Sequence, residues 1–386
     1  MRISSNTFFE LGVNSINSQL SGLVKTQQQI SSGRRILTPS DDPVASSAVV
    51  ETSQSLNVTT QHLENIVSAR STLNFEESVT ASINRVYQQA RQTVISAGNP
   101  TLNSADRATL ATTLRSNYDE LLSLANSRDG QGNYLFSGFA TNTPPFSQTT
   151  GPAVYAGDQG QRKLQITPSR QIDISDSGQA LFKPGVNGSD PFAIIENFIT
   201  ALGSGTPNSQ VTTSVGTANT GTASITTSVS NPATLPQSSV TLTYTTTPAA
   251  AFTTVSADPA WNGLTFLYTS GAPNTVNGVT FTISGAPNVA DAFTIANASD
   301  TALLGLDAAQ NNTLRIQTTI GSRLNELDST EVTGQDASLQ YQTTLSNLRD
   351  VDFTRAISDL TRQQTGLEAA QKSFISIQNL NLFKLL

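Results

Sequence analysis

The chain of 386 residues has no cysteine, one histidine, one tryptophan and one methionine. Without cysteine there are no disulfides, thiolate zinc sites or thiol catalysis. One histidine with no cysteine cannot build a zinc site from the usual ligands. A Ser-His-Asp arrangement would have to use His62, which stands beside Leu63 in a helical pattern. No Gly-x-Ser-x-Gly elbow accompanies it, so a packing or surface role is preferred over catalysis. Charge is also scarce. Charged residues make up 13% of the chain, against a usual share of about 25%. A net charge of -7 argues against nucleic acid, which needs a basic face, and no polybasic patch suggests an anionic membrane. No apolar run is long enough to span a bilayer. The opening residues lack the apolar region and cleavage site of a secretory signal peptide. The absence of cysteine suits a chain exported unfolded, and equally an ordinary cysteine-poor protein.

What is abundant is Ser, Thr, Asn and Gln beside 37% hydrophobic residues, a balance that reads as a surface or assembled protein rather than a cytosolic enzyme. The organising pattern lies at the two ends. Phe353, Leu360, Leu367 and Phe374 recur every seven residues, and Ala356, Gln363, Ala370 and Ile377 follow each by three. Alternating steps of three and four mark one apolar stripe with a coiled-coil register. At the other end Phe9, Ile16, Leu23 and Ile30 keep the same period, with Val13, Leu20 and Gln27 as the second position. Two heptad segments at opposite termini predict that the termini pair, with everything else inserted between them. Between Leu11 and Gln29 the only charge is Lys25. Exposed coiled coils usually carry Glu and Lys beside the seam. Neutral flanks fit helices buried among further copies of the same chain, although an antiparallel pair within a monomer also accounts for the pattern.

In chain order, a first helix is predicted over 6–32, ending at Gly33 as a left-handed residue beyond the C-cap. An extended connector through Pro39 follows. Asp42 reads as an N-cap and Pro43 as the first helical residue, which accounts for the acidic pair without chemistry. A second helix should run from 43 towards 97, about 80 Å at 1.5 Å per residue, and a third should be capped by Ser104. The stretch Gly130-Gln131-Gly132 lacks the lysine and the following helix of a phosphate loop and reads as a turn. Strand alternation follows over 146–182, then a short amphipathic helix over 192–202. Residues 204–298 form a Thr- and Ser-rich block with strands predicted over 240–245, 264–269 and 279–283. Asn277-Gly278 reads as a hairpin turn. Disorder is the rival reading for 204–236. Ser-Gly-Ala-Pro-Asn occurs at Ser270 and again at Ser284. Trp261 reads as core more readily than as a sugar platform. Helix returns after Asp300, with a break expected at Gly334 and a C-terminal helix beginning near Asp336.

Several of these stretches carry a likeness. Ser31-Ser32-Gly33-Arg34-Arg35-Ile36 followed by Asp41-Asp42-Pro43 resembles the junction between the first two terminal helices of the flagellin family. Met1-Arg2-Ile3-Ser4, Leu37-Thr38-Pro39-Ser40, Arg128-Asp129-Gly130-Gln131-Gly132-Asn133-Tyr134-Leu135-Phe136-Ser137-Gly138 and Val351-Asp352-Phe353 are similar to the hook–filament junction branch of that family. The final apolar stretch Leu380-Asn381-Leu382-Phe383-Lys384-Leu385-Leu386 is similar to it as well. The likeness covers about 1–185 and 278–386; residues 204–261 match no known pattern.

The resemblance implies a mainly α fold: paired N- and C-terminal coiled-coil helices, an α-helical rod domain and an inserted outer β-rich domain. The corresponding limits are 1–42 with 346–386, 43–185 with 300–345, and 186–299. It implies a non-enzymatic protein of the bacterial flagellum, without cofactor or metal, and without nucleic-acid or membrane insertion. Such a protein leaves by type III export without signal cleavage. It forms a homo-oligomeric ring between the first hook-associated protein and flagellin, and a cytoplasmic chaperone holds its C-terminal helix. The seams carried over are Phe353, Leu360, Leu367, Phe374 and Ile377 for assembly and chaperone, and Phe9, Ile16, Leu23 and Ile30 for assembly. Gly33, Pro39, Asp42 and Pro43 form the connector. A filament flagellin and a secreted coiled-coil adhesin or translocator are the alternatives.

Overall fold

A computed structural model describes residues 5–99, 101–148, 150–183, 189–204, 211–229, 236 and 238–379. The chain divides into two compact units, 1–65 with 329–386, and 66–328. The division falls inside two long helices, α2 (Pro43–Ala97) and α6 (Ala298–Arg349).

The terminal unit contains α1 (Ser5–Ser32), the start of α2, the end of α6, and α7 (Phe353–Asn379). The start of α2 follows from Asp42, whose carboxylate accepts the Ala45 N–H at 3.0 Å, ahead of Pro43 at the first helical position. The break expected at Gly334 does not occur. Helix α6 runs through it because a mid-helix glycine costs only about 1 kcal/mol relative to alanine, and this one serves as a notch. A Cβ there would stand 2.9 Å from Leu63 Cδ2. The chain breaks at 350–352 instead, where Asp352 accepts the Thr354 and Arg355 N–H groups and caps α7.

The central unit is built on a continuous seam in α2. Ile66, Ala69, Leu73, Glu76, Thr80, Ile83, Tyr87, Ala90 and Val94 are buried in alternating steps of three and four. Helix α6 answers with Ala302, Leu306, Ala309, Ile316, Ile320 and Leu327. The two run antiparallel: Arg91 meets Asp307, Asn84 meets Gln317, and Arg70 meets Asp328. Helix α3 (Ser104–Ala125) is capped by Asn103, one residue before the Ser104 expected. Asn103 wins because Asp106 returns a bond to its N–H, closing a capping box.

Residues 128–138 turn the chain from helix to hairpins. The Asp129 carboxylate accepts the Gln131 and Asn133 N–H groups, so the glycine-bearing stretch is a turn held by its own side chain. The hairpins β1 (Phe146–Ser147) with β2 (Val154–Tyr155), and β3 (Lys163–Thr167) with β4 (Arg170–Asp173), follow. Two short helices come next, α4 (Gly178–Phe182) and α5 (Pro191–Ser204). Phe136, Phe146, Phe182 and Phe192 pack ring to ring beneath them.

The Thr-rich block is a two-sheet sandwich. One sheet has the order β5 (Val211–Val215), β12 (Ala292–Asn297), β7 (Val240–Thr245), β8 (Ala251–Ser256), β9 (Thr265–Leu267). The other has β10 (Pro273–Val276), β11 (Val279–Ser284), β6 (Ser224–Val229). Both contribute to one core that holds Leu242, Phe252, Phe281, Phe293 and Trp261. Trp261 is buried there, as core rather than platform. Alternation explains the strands: Val240, Leu242 and Tyr244 face inward and the threonines between them outward. The rival reading of disorder gives way at 211–215 and 224–229, which pair into these sheets; 205–210 and 230–235 lie outside the described residues. Asn277 and Gly278 join β10 to β11 with φ of 44° and 78°, the positive values that a two-residue hairpin turn needs.

Candidate assembly interface

The candidate surface is the terminal unit's pairing of α1 with α7. Its register can be read from three glycines. A Cβ on Gly12 would lie 2.6 Å from Phe374, one on Gly22 would lie 3.7 Å from Gln363, and one on Gly33 would lie 3.9 Å from Phe353. As α1 numbers rise from 12 to 33, α7 numbers fall from 374 to 353, three heptads against three. The helices are antiparallel and keep step.

This register places the expected residues unevenly. Ile16, Leu23 and Ile30 on α1 are half-buried, as are Leu360, Leu367 and Phe374 on α7. Phe353 lies at the connector end of the seam. It is 52% exposed and meets the connector at Gly33 rather than the body of α1. The side chains of Phe9 and Ile377 lie outside the described residues, as does 380–386. The second α1 position is corrected. Gly12, Gln19 and Gly33 face α7, and Thr26, at the same heptad position, is buried. Of the Val13, Leu20 and Gln27 series, Val13 is half-buried, Gln27 exposed and Leu20 46% exposed. The partner chose the phase that carries glycine and threonine, because a small residue at Gly12 lets Phe374 close on α1. No hydropathy signal marks glycine as a contact position, so these residues could not be found by period alone.

The connector closes the interface. Gly33 takes φ +68°, a left-handed conformation open to glycine at little cost. Its carbonyl accepts the Val351 N–H at 3.0 Å, and Arg35 N–H donates to the Arg349 carbonyl at 2.7 Å. This isolated antiparallel bridge, Arg34 to Asp350, ties the end of α1 to the α6–α7 break. The Arg35 guanidinium spans the joint, donating to the Leu348 carbonyl at 2.7 Å and to Asp42 at 3.3 Å. Asp41 accepts Lys25 Nζ at 2.7 Å and the Leu37 and Thr38 N–H groups. The Lys25 ammonium, followed by these backbone bonds, holds the Asp41 carboxyl well below the usual carboxylate range. Pro39 sits exposed at the outside of the bend.

Lys25, the one charge within 11–29, is thus neutralised inside its own chain. Beside it Leu20 and Val24 remain exposed, at 46% and 43%. With Leu37 they line an open groove of about 480 Å³. Among the described residues there is no cluster of three metal-ligating side chains, and no helix is long and apolar enough to cross a membrane. His62 is half-buried in α2.

Comparison with known proteins bears on this arrangement. A model of the bacterial flagellin N-terminal helical region matches residues 3–141. The flagellar hook-associated protein 3 of Escherichia coli K12 is 30% identical over 396 aligned residues, covering 100% of this chain and 99% of that protein. The chain belongs to the flagellar hook-associated protein 3 family. Members of this family are structural components of the flagellar hook–filament junction. The hook-associated protein 3 of Salmonella typhimurium is 29% identical over 100% of this chain and 99% of its own. The crystal structure of hook-associated protein 3 from Legionella pneumophila aligns with a TM-score of 0.50 and 26% identity, over 78% of this chain and 98% of that one. A flagellar hook-associated protein of Vibrio parahaemolyticus shares the fold, with a TM-score of 0.55 and 19% identity over 80% of this chain and 100% of that one. The mainly α architecture with an inserted β-rich region is that of hook-associated protein 3 relatives.

Proposed function

We propose that this chain forms a homo-oligomeric ring at the hook–filament junction, held together through α1 and α7, with the first hook-associated protein on one side and flagellin on the other. One observation carries this reading: α1 has two adjacent apolar stripes and α7 covers only one. The other, with Leu20 and Val24, is exposed, and its single neighbouring cation is already paired with Asp41. An uncharged apolar helix face is suited to a second neutral helix, and α1 of another copy, with Lys25 as the one charge within 11–29, has that character. The role is structural and needs no catalysis or cofactor.

On this reading 1–42 with 346–386 assemble, 43–185 with 300–345 act as the rod, and 186–299 is the outer insert. The chain reaches the cell exterior through the flagellar type III export channel without losing a signal peptide. Before export a cytoplasmic chaperone holds the seam Phe353, Leu360, Leu367, Phe374 and Ile377, since a groove reads an amphipathic helix through such anchors. The test is a strain lacking the gene. It should carry hooks without filaments and release flagellin monomers into the medium, and the wild-type gene should restore filaments. Normal filaments without the gene would end the proposal.

A further inference from the structure

The buried seam of the central unit contains a carboxylic acid. Between Leu73 and Ile83, the α2 heptad places Glu76 and Thr80 at core positions, and both are 0% exposed. On α6, Arg323 follows Ile320 in the same rhythm. The α2–α6 register, set by Arg91 with Asp307 and Arg70 with Asp328, puts Glu76 level with Arg323. A carboxylate opposite a guanidinium in a dry seam should pair with it. Here a third residue has taken its place. Asp176, on the strap between β4 and α4, accepts Arg323 Nη1 at 2.8 Å and Nη2 at 3.2 Å. Its Oδ1 also accepts Gln161 Nε2 at 2.9 Å. Glu76 retains one bond, from the Asp176 N–H to Oε1 at 3.0 Å, while Oε2 is buried without a partner.

We propose that Glu76 carries a proton in the folded central unit, and that its ionisation loosens the seat of Asp176 and the β3–β4 hairpin on α2 and α6. The surrounding charges fit a neutral Glu76. From the hairpin and strap come Arg162, Lys163, Asp173 and Asp176; from the turn after α3 comes Asp129; from α6 comes Arg323, and these groups pair among themselves. The Arg323 guanidinium is held by Asp176 and Arg162 lies 3.9 Å from Asp129, so the Glu76 carboxyl accepts from neither, and ionising a group that is 0% exposed beside Asp176 carries a high desolvation cost. Burial, followed by the Asp176 charge, pushes the Glu76 carboxyl up from 4.5 to about 8.

The sign follows from linkage. The raised carboxyl stabilises the unit fully below the unfolded value of 4.5, and that contribution is lost as pH rises through about 8. The unfolding constant should therefore rise by up to about tenfold per pH unit across that window, from one proton. Carboxyl-carbon NMR of full-length protein labelled at glutamate, titrated from pH 4 to 10, tests this directly. One glutamate should titrate far above the others, and Asp176→Asn should lower its midpoint by freeing Arg323. Glu76→Gln should remove that resonance and flatten the pH dependence of urea unfolding between pH 5 and 8. If every glutamate finishes titrating below pH 6 in the wild-type protein, the proposal is overturned whether or not the variants fold.

Discussion

The ring of Phe374 fills the space that a side chain on Gly12 would need: a Cβ there would stand 2.6 Å from Cδ2 and 2.9 Å from Cε2. This is a tight contact between α1 and α7 that only a residue without a Cβ leaves room for. Gly12→Val forces the ring outward and should destabilise the terminal unit by about 1–3 kcal/mol, the usual cost of overpacking. Urea titration of a probe in α7 should report the loss, and an unchanged or higher midpoint would mean that the ring is not held there.

The same pairing is thin. Its apolar residues are half-buried, and among the described residues of the terminal unit only Thr26, Ala45, Leu345 and Ala356 are buried. In verified monomer, amides of α1 and α7 should exchange far faster than those of Leu73 to Val94 in the α2 seam, because local opening follows the density of buried contacts. Their exchange should slow on incorporation at the hook. Equal protection of both regions in monomer would contradict the assembly reading.

Gly33 combines a left-handed backbone with a carbonyl bonded to Val351. A β-branched residue there meets a steric cost of about 1–2 kcal/mol. Gly33→Val should loosen the joint and impair junction assembly while leaving the central unit's melting unchanged. Gly33→Asn should be milder, since asparagine tolerates that conformation. A variant carrying valine that assembles normally would remove the connector from the mechanism.

Leu360 and Leu367 lie half-buried on the α7 face turned to α1. Replacing both with Asp puts charge into an apolar contact. The double variant should lose α1 pairing, bind the export chaperone more weakly by calorimetric titration, and fail to appear at the hook tip by electron microscopy. Tyr87 and Ile320 in the central core should be undisturbed. A double variant that still builds a working junction would displace α7 from its proposed role.

The outer sandwich is excisable by its topology. Its first strand residue, Val211, is paired with its last, Asn297, and paired antiparallel residues stand about 5 Å apart. Replacing 211–297 with a Gly-Ser linker of about four residues should therefore leave α5 and α6 in place and permit filament growth. Loss of filaments despite normal export would assign the sandwich a part in the joint.

The sequence alone determined whatever depends on local period and on turn chemistry. The span of α2 follows from Asp42, Pro43 and a run of heptads; the β10–β11 turn follows from Asn277 and Gly278; β7 follows from alternation at Val240, Leu242 and Tyr244. The family likeness rests on motifs at the connector and at 128–138. Tertiary structure decided the rest, because several phases of one periodic pattern are nearly equal in hydrophobicity until a partner chooses between them. On α1 that choice went to Gly12 and Thr26 over Leu20, since close approach depends on size rather than on apolar character. Gly334 failed to end α6 because Leu63 fills its notch, while the real break lies where Asp352 caps a new helix and Gly33 bonds Val351. Strand order β5-β12-β7-β8-β9 joins residues about eighty positions apart, which no local pattern encodes. Glu76 looked like one more polar residue on a long helix. Only the packing of α6 and the Asp176 strap around it made it a buried acid.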